Sequence, residues 1–319
     1  MTHKPHFNLY VCACSEDGGL YRYSLAGGKL TFIEKYPVPM PMYAIEKNGI
    51  LYVILKKGGK GNNSALVKYT VKPDGSLTPL PDVYDTEGEV ACHLDVSDTG
   101  DTYVVNYISG NVVKIGSEVS QHEGTGPNTE RQDSAHTHYV KIMPDGNLLV
   151  TDLTLDAVLT YDKDLKIKHF ATVPSGHGPR HLVPSANGRY VYCACELTST
   201  VCVFRYVRGK LQLLHTYRLL PEDFKAYSIA AAIRTDGERL YVSNRGHDSI
   251  SVFDISADSL SGLRHLNTFG KAPRDFDLFG DVIVATNQDS STVTVIDKTT
   301  GELLDTVPCP EALCVLEVL

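Results

Sequence analysis

Short runs of alternating apolar and polar residues recur along the whole chain, each followed by a turn that contains glycine. One such unit runs from His138 through the turn glycine Gly146 to Leu159. Alternation with a period of two is typical of β-strands, because successive side chains point to opposite faces of the sheet. Further units of the same kind open at Met42, Cys92, Arg180, Ile229 and Arg274. The pattern therefore predicts an all-β repeat protein.

The first unit lacks its opening strand, and an apolar run at the other end of the chain supplies a candidate for it. This run extends from Ala312 to Val318, whereas the first unit extends from about Phe7 to Tyr36. With this strand included, the 319 residues divide into seven units of about 45 residues each. The sequence predicts a seven-bladed β-propeller with four-stranded antiparallel blades, in which the C-terminal strand joins the N-terminal blade and closes the ring.

One domain over residues 1–319 is the expected organisation, because no linker rich in proline, serine or charge divides the chain. A parallel α/β fold is disfavoured by the lack of a helical period of ten or more residues between the strands. Gly58-Gly59-Lys60-Gly61 lacks the spacing of a phosphate-binding loop and is interpreted as a blade loop.

The composition limits the cellular compartments and the classes of partner that we expect. The formal net charge is -8, and no basic run is present, which argues against nucleic acid or an anionic membrane as a partner. The chain passes from Met1 into a strand-like segment without a long apolar stretch, so we expect a cytoplasmic protein without a signal peptide. Residues two apart on a strand, such as Cys12 and Cys14 or Cys193 and Cys195, are too far apart to form a disulfide bond easily. We therefore expect reduced, buried thiols.

Two positions of the repeat carry ionisable residues that are expected to converge at the central channel. Counting back eight residues from each turn glycine reaches the start of the first strand, at Cys92, His138, Arg180 and Ile229. The second position follows the next strand, at Tyr107, Asp152, Glu196, Arg245 and Gln288. Because the innermost strand of every blade lines the channel, we predict one polar site containing His138, Arg180, Glu196 and Arg245, with Arg274 adding positive potential.

Metal binding is the main alternative for the histidines. His136 and His138 have the spacing of two metal ligands on one strand face, but several nearby arginines would repel a cation. We therefore expect neither a metal nor another cofactor. His138 is interpreted as a general acid/base or as a donor to a carbonyl oxygen, and His136 as a residue that braces the turn or contacts the substrate.

Several longer segments resemble the lactonase-family propellers. These segments are Gly176-His177-Gly178-Pro179-Arg180-His181, Cys195-Glu196-Leu197, residues 240–250 around Asn244 and Arg245, and residues 106–112. The resembling family includes bacterial propeller-type 6-phosphogluconolactonases and the fungal 3-carboxy-cis,cis-muconate lactonizing enzyme. The resemblance implies a functional quartet at His138, Arg180, Glu196 and Arg245. The sequence departs from the family pattern at Thr137, where proline is usual, and at Thr154, where glycine is usual.

Hydrolysis of a small anionic sugar-acid lactone is the function we expect, with 6-phosphogluconolactone as the substrate and no cofactor. The expected catalytic residues are His138, Arg180, Glu196 and Arg245, and either His138 or Glu196 acts as the general base. The expected substrate-binding residues are Tyr107, His136, Asp152, Asn244, Arg274 and Gln288. Two alternatives remain at this point, lactonization of a carboxylated muconate and a non-catalytic binding platform. The oligomeric state is left open.

Overall fold

A computed structural model describes residues 6–318, and these residues form 28 β-strands. In chain order the strands are β1 (His6–Ala13), β2 (Gly19–Ala26), β3 (Lys29–Tyr36), β4 (Pro41–Lys47), β5 (Ile50–Leu55), β6 (Ala65–Val71), β7 (Leu77–Asp85), β8 (Ala91–Val96), β9 (Thr102–Asn106), β10 (Asn111–Lys114), β11 (Val119–Gln121), β12 (Thr137–Ile142), β13 (Leu148–Asp152), β14 (Ala157–Tyr161), β15 (Ile167–Thr172), β16 (Pro179–Pro184), β17 (Tyr190–Cys195), β18 (Thr200–Val207), β19 (Lys210–Arg218), β20 (Ile229–Thr235), β21 (Arg239–Arg245), β22 (Ser249–Ser256), β23 (Ser259–Asn267), β24 (Pro273–Phe279), β25 (Val282–Asn287), β26 (Thr292–Asp297), β27 (Leu303–Pro308) and β28 (Ala312–Glu317).

The strands form seven antiparallel sheets of four, named blades 1 to 7 here. Blade 1 has the spatial order β28-β1-β2-β3, and each later blade contains four consecutive strands, from β4–β7 in blade 2 to β24–β27 in blade 7. The leading strands β4, β8, β12, β16, β20 and β24, together with β28, each contact the equivalent strand of both neighbouring blades. These seven inner strands surround a central axis, which confirms the predicted seven-bladed β-propeller.

Blade 1 is built from both ends of the chain. β28 pairs antiparallel with β1, so that Cys314 lies opposite Cys12 and Glu317 lies opposite Leu9. β28 also contacts β4 and β24, which are the inner strands of the two adjacent blades. The C-terminal strand therefore completes a sheet and closes the ring at the same time, as the sequence predicted.

The hydrophobic core lies between the blades. Every residue of the middle strands β13 and β14 is buried, because a neighbouring blade covers each face of the sheet. The outer strand β15 contains no buried residue. Between blades 3 and 4, Val105, Val140 and Leu159 share one apolar cluster. This two-sided burial explains why the middle strands are nearly continuous apolar runs rather than strict alternations.

Each inner strand contains a β-bulge near its start. In β8, β12, β16 and β24 the pairing skips one residue, and the skipped residues are Cys92, His138, Arg180 and Arg274. In β20 the pairing skips two residues, Ala231 and Ala232. A bulge leaves the extra residue outside the ladder and changes the direction of its side chain. Here it brings one residue of each blade toward the channel.

All eight cysteines are buried and free, so their side chains pack as small apolar groups in the core. The sulfur atoms of Cys195 and Cys202 lie 3.7 Å apart, well beyond the length of a disulfide bond. Within residues 6–318, no helix has the length and apolar character needed to cross a membrane.

Candidate functional site

A cavity of about 330 Å³ opens at the channel end where the inner strands begin. We name it the arginine cavity, and its lining residues are Lys56, Val90, Cys92, Tyr107, Ile108, Arg131, His138, Arg180, Glu196, Arg245 and Arg274. Four of these residues are bulge residues on the inner strands of four different blades. The lining includes five cationic side chains and one carboxylate. An excess of positive charge in a partly closed space favours a small anionic ligand.

Glu196 lies at the centre of the cationic side chains. Its Oε2 atom is 2.8 Å from Nε of Arg180 and 2.9 Å from Nη2 of Arg245, and its Oε1 atom accepts a hydrogen bond of 2.5 Å from Arg131. Burial alone would raise the pKa of Glu196, but Arg245 and Arg180 outweigh burial and hold this pKa well below its ordinary value. Glu196 is therefore ionised and fixes the position of three guanidinium groups.

Arg180 is held by two neighbouring side chains, Glu196 and His181. The side chain is almost fully buried, and its Nε atom forms the ion pair with Glu196. Nη1 donates to Nε2 of His181 at 3.0 Å. Burial and repulsion from Arg245 lower the pKa of Arg180. A buried guanidinium group that lines a partly closed cavity is well placed to bind an incoming anionic oxygen.

A tight turn places Arg180 beside Glu196. Gly178 has a φ of +64°, and a Cβ atom there would lie 2.8 Å from the side chain of Leu197, so only glycine fits without a shift. The carbonyl oxygen of Gly178 accepts a hydrogen bond from the Glu196 backbone N–H at 2.7 Å. The buried carboxylate of Asp156 accepts a further hydrogen bond from the backbone N–H of Gly178 at 2.7 Å. The glycine-rich segment thus fixes the distance between the two functional side chains.

His138 is held in its neutral form. Its side chain is 5% exposed, and Nδ1 lies 3.9 Å from Sγ of Cys92. Burial, and then the nearby charge of Arg180, hold the pKa of His138 well below its ordinary value. Nε2 has no hydrogen-bond partner among residues 6–318. The ring is therefore neutral, and Nε2 is a free acceptor in the tautomer that carries its proton on Nδ1.

Three other predicted residues lie at or behind the cavity wall. Tyr107 lines the cavity, and its ring stacks on His136 with 4.2 Å between the ring centroids. Nδ1 of His136 donates to the carbonyl oxygen of Tyr107 at 2.8 Å, so His136 supports the wall from behind. Gln288 accepts a hydrogen bond of 3.3 Å from Arg274. His136 and Gln288 therefore contact lining residues instead of the cavity itself.

Asp152 and Asn244 are predicted site residues that the structure does not place in the cavity. Asp152 is fully buried, and its carboxylate contacts Nδ1 of His122 at 2.7 Å and accepts a hydrogen bond from the backbone N–H of Thr154 at 2.9 Å. Asn244 is fully buried as well and donates to Oγ of Ser251 at 2.8 Å. Both side chains hold the turn that follows their strand, which corrects their predicted place among the substrate contacts.

The correction for Asp152 comes from a difference of one residue in the strand register. The backbone N–H of Leu153 donates to the carbonyl of His136, just as the N–H of Glu196 donates to the carbonyl of Gly178. Leu153, and not Asp152, is therefore the residue equivalent to Glu196. A shift of one residue moves a side chain to the opposite face of a strand.

The channel-facing residue of the inner strand also differs from the predicted one in blades 6 and 7. The count from the turn glycines pointed to Ile229 in β20, but Ile229 pairs with Arg245, and the bulge lies at Ala231 and Ala232. In β24 the bulge residue is Arg274, which the count did not align with His138 and Arg180. The structure therefore makes Arg274 a full equivalent of those two residues.

Two cationic lining residues were missed in the sequence. Arg131 lies in the connection between β11 and β12, residues 122–136, and its contact with Glu196 is not visible from the repeat. The unusual length of this connection was the available signal, because long loops in compact folds are often functional. Lys56 directly follows β5, and its backbone N–H bonds to Met40 as the equivalent residues of other blades do. Aligning the weaker second repeat would have found it.

The described residues include no group of three or more histidine, cysteine, aspartate or glutamate side chains arranged to hold a metal ion.

Comparisons with known proteins agree with this architecture. An uncharacterized protein of Staphylococcus epidermidis is 32% identical over 89% of this chain and 91% of its own length. The solved structure of a Lactobacillus plantarum protein is 29% identical with a TM-score of 0.89, covering 99% of this chain and all of that one. The periplasmic gluconolactonase of Pseudomonas aeruginosa is 25% identical with a TM-score of 0.88, covering 99% of both chains. The family described as lactonase, 7-bladed β-propeller, matches residues 8–317, and this chain belongs to that family.

Proposed function

We propose that the protein hydrolyses a small anionic sugar-acid lactone in the arginine cavity, with 6-phosphogluconolactone as its substrate. The observation that carries the proposal is the charge of the cavity, which contains five cationic side chains and one carboxylate at the channel mouth. Membership of the lactonase family and the similarity to a gluconolactonase support a lactone as the substrate class. The excess of cationic side chains supports an anionic lactone.

Arginine side chains bind the substrate and stabilise the transition state in this proposal. Arg180 and Arg245 are both held by Glu196, so their positions are set before substrate binds. They polarise the lactone carbonyl and stabilise the negative charge that develops on its oxygen. Lys56, Arg131 and Arg274 provide further positive charge for the anionic group of the substrate.

His138 is the general base in this proposal. A water molecule attacks the lactone carbonyl while Nε2 of His138 takes a proton from it. The tetrahedral intermediate then breaks its bond to the ring oxygen, and the imidazolium returns the proton to that oxygen. Glu196 is a much weaker base, because three guanidinium groups stabilise its ionised form. We therefore assign Glu196 the role of positioning the arginines.

The test compares two lactones that differ in charge. The purified protein is assayed with 6-phosphogluconolactone and with neutral glucono-δ-lactone, and a pH indicator records the proton released when the product acid ionises. We expect kcat/KM to be at least about tenfold higher for the phosphorylated lactone, because it alone engages the cationic excess. This preference should shrink as salt is added.

Two results would count against the proposal in different ways. Equal rates for the two lactones would reject the preference for an anionic substrate but would still show that the protein is a lactonase. No hydrolysis of either lactone by the folded protein would reject hydrolysis of sugar-acid lactones.

A further inference from the structure

The far end of the channel contains a second cavity, of about 350 Å³. We name it the tyrosine cavity, after Tyr43 and Tyr139 in its lining. All seven inner strands contribute to it, so it lies on the propeller axis. Its volume is close to that of the arginine cavity, and it is large enough for a small molecule.

A narrow neck separates the two cavities. The neck is a space of about 10 Å³ whose lining includes Tyr43, Cys92, Arg180 and His181. Such a volume holds at most about one water molecule. A molecule of sugar size cannot pass through it, so ligands reach the two cavities independently from opposite faces of the protein.

The inner charges of the tyrosine cavity are already paired with each other. Lys141 lies 3.0 Å from Asp95, and Arg234 contacts Asp275 at 2.9 Å and Asp277 at 3.4 Å. A charged ligand would have to compete with these ion pairs. Anions are disfavoured further, because Glu317 and Glu46 add carboxylates to the lining.

The uncharged polar groups of this cavity, by contrast, are unpaired. Among residues 6–318, the hydroxyls of Tyr43 and Tyr139 have no hydrogen-bond partner. The ring of His93 lies between them, with centroids 4.5 Å from Tyr43 and 3.7 Å from Tyr139. His93 is 3% exposed and lines the cavity.

The tautomer of His93 follows from its contact with the backbone. Nδ1 accepts a long hydrogen bond of 3.5 Å from the N–H of Val140, so in the neutral ring Nε2 carries the proton. Nε2 has no partner within the described part of the chain. Burial, Lys141 and Arg234 hold the pKa of His93 well below its ordinary value, which keeps the ring neutral.

We propose that the tyrosine cavity is a second binding site, which takes a small neutral polyol of monosaccharide size. The hydroxyls of Tyr43 and Tyr139 and the free N–H of His93 would hydrogen-bond to the hydroxyl groups of the ligand, and the aromatic faces would pack against its C–H surface. The unpaired donors suit uncharged hydroxyl groups, the ion pairs leave no free inner charge for an ionic ligand, and the outer carboxylates repel an anion. This site is independent of the proposed lactone hydrolysis.

The test uses three probes of nearly equal size and different charge, D-glucose, D-gluconate and D-glucosamine. The full-length protein is labelled at tyrosine and histidine, and NMR titrations follow the signals of Tyr43, Tyr139 and His93. We expect saturable shifts with glucose at millimolar concentrations and weaker or no saturation of these signals with the two charged probes. Arg245→Ala should leave the glucose response unchanged, because Arg245 lies in the other cavity.

Removing one tyrosine hydroxyl from the cavity tests whether glucose binds there. Tyr139→Phe keeps the ring and should weaken glucose binding about fivefold, the effect of losing one hydrogen bond. Tyr227→Phe is the matched control, since Tyr227 is 73% exposed and lies outside the cavity. If Tyr139→Phe lowers the melting temperature strongly, Tyr43→Phe replaces it. The proposal is overturned if glucose causes no saturable shift, if a charged probe binds there in preference, or if neither substitution weakens binding.

Discussion

The two ends of the central channel are formed largely by the same inner strands but differ in how their charges are balanced. In β12, His138 lines the arginine cavity, whereas Lys141, three residues later, lines the tyrosine cavity. The arginine cavity contains five cations around Glu196, whereas Lys141 in the tyrosine cavity has its own partner in Asp95. An excess of positive charge, and not cavity size, therefore distinguishes the candidate reaction site.

Loss of β28 should affect both ends of the channel most strongly. β28 lines the tyrosine cavity through Val315, Leu316 and Glu317 and the neck through Leu313, and it also closes the ring. Deleting residues 312–319 removes several buried apolar side chains at about 2–5 kcal/mol each, which approaches the whole stability of a typical domain. We expect no cooperative thermal transition and no hydrolysis. A truncated protein with an unchanged melting temperature would show that ring closure does not depend on β28.

His138→Ala should impair the arginine cavity and leave the tyrosine cavity unaffected. We expect kcat to fall about 100-fold or more, because the proton acceptor is lost, while KM changes little. Glucose binding at the tyrosine cavity should persist. Steady-state kinetics with a melting curve as the folding control measures the effect. A fall in kcat of less than about threefold would assign the base to Glu196 instead, and Glu196→Gln would then be the more damaging substitution.

Arg245→Ala should weaken substrate binding or turnover at least about tenfold, which corresponds to about 1.4 kcal/mol. The reason is the loss of one guanidinium donor, while Arg180 and Arg131 still hold Glu196. Arg239→Ala is the control, because Arg239 lies outside both cavities. Equal kcat/KM for the two variants would contradict an arginine-based site.

The last prediction concerns the pH dependence of stability, to which histidines at both ends of the channel contribute. Burial, together with nearby cationic groups, holds the pKa values of His93, His138 and His181 well below the ordinary value. Below about pH 6.5 the unfolded chain binds protons at these residues and the folded protein does not. Stability is therefore fully present above that pH and decreases as the pH falls, by up to about 1.4 kcal/mol per pH unit for each histidine.

Melting temperatures between pH 7 and pH 5 measure this dependence. His93→Gln should reduce the slope by roughly one third, since one of three similar groups is removed. His215→Gln, at an exposed position of β19, should leave the slope unchanged. A melting temperature that does not decrease over this range would show that the three imidazoles are not kept neutral by the fold.

The sequence was sufficient for the fold because one pattern of strands and glycine-containing turns recurs along the whole chain. It was also sufficient to bring His138, Arg180, Glu196 and Arg245 to one cavity, since each follows the repeat closely. Their catalytic roles remain predictions.

The positions of the remaining site residues depend on one-residue shifts and on loops, which a comparison of repeats without gaps does not reveal. Asp152 was misplaced because one residue separates it from the position equivalent to Glu196. Arg131 was missed because it lies in a loop, where no periodicity constrains the position of a side chain. A difference of one residue in a bulge or a strand changes which face a side chain occupies.

The way in which blade 1 is assembled has a consequence for synthesis on the ribosome. Blades 2 to 7 each consist of consecutive strands, so each sheet can pair soon after its residues leave the exit tunnel. Blade 1 has to wait for β28, which is made about 300 residues after β1. At about 5–20 residues per second this interval lasts roughly 15 to 60 s. During that time the edge of β1 has no partner, and the nascent chain is open to pairing with another copy or to capture by a chaperone.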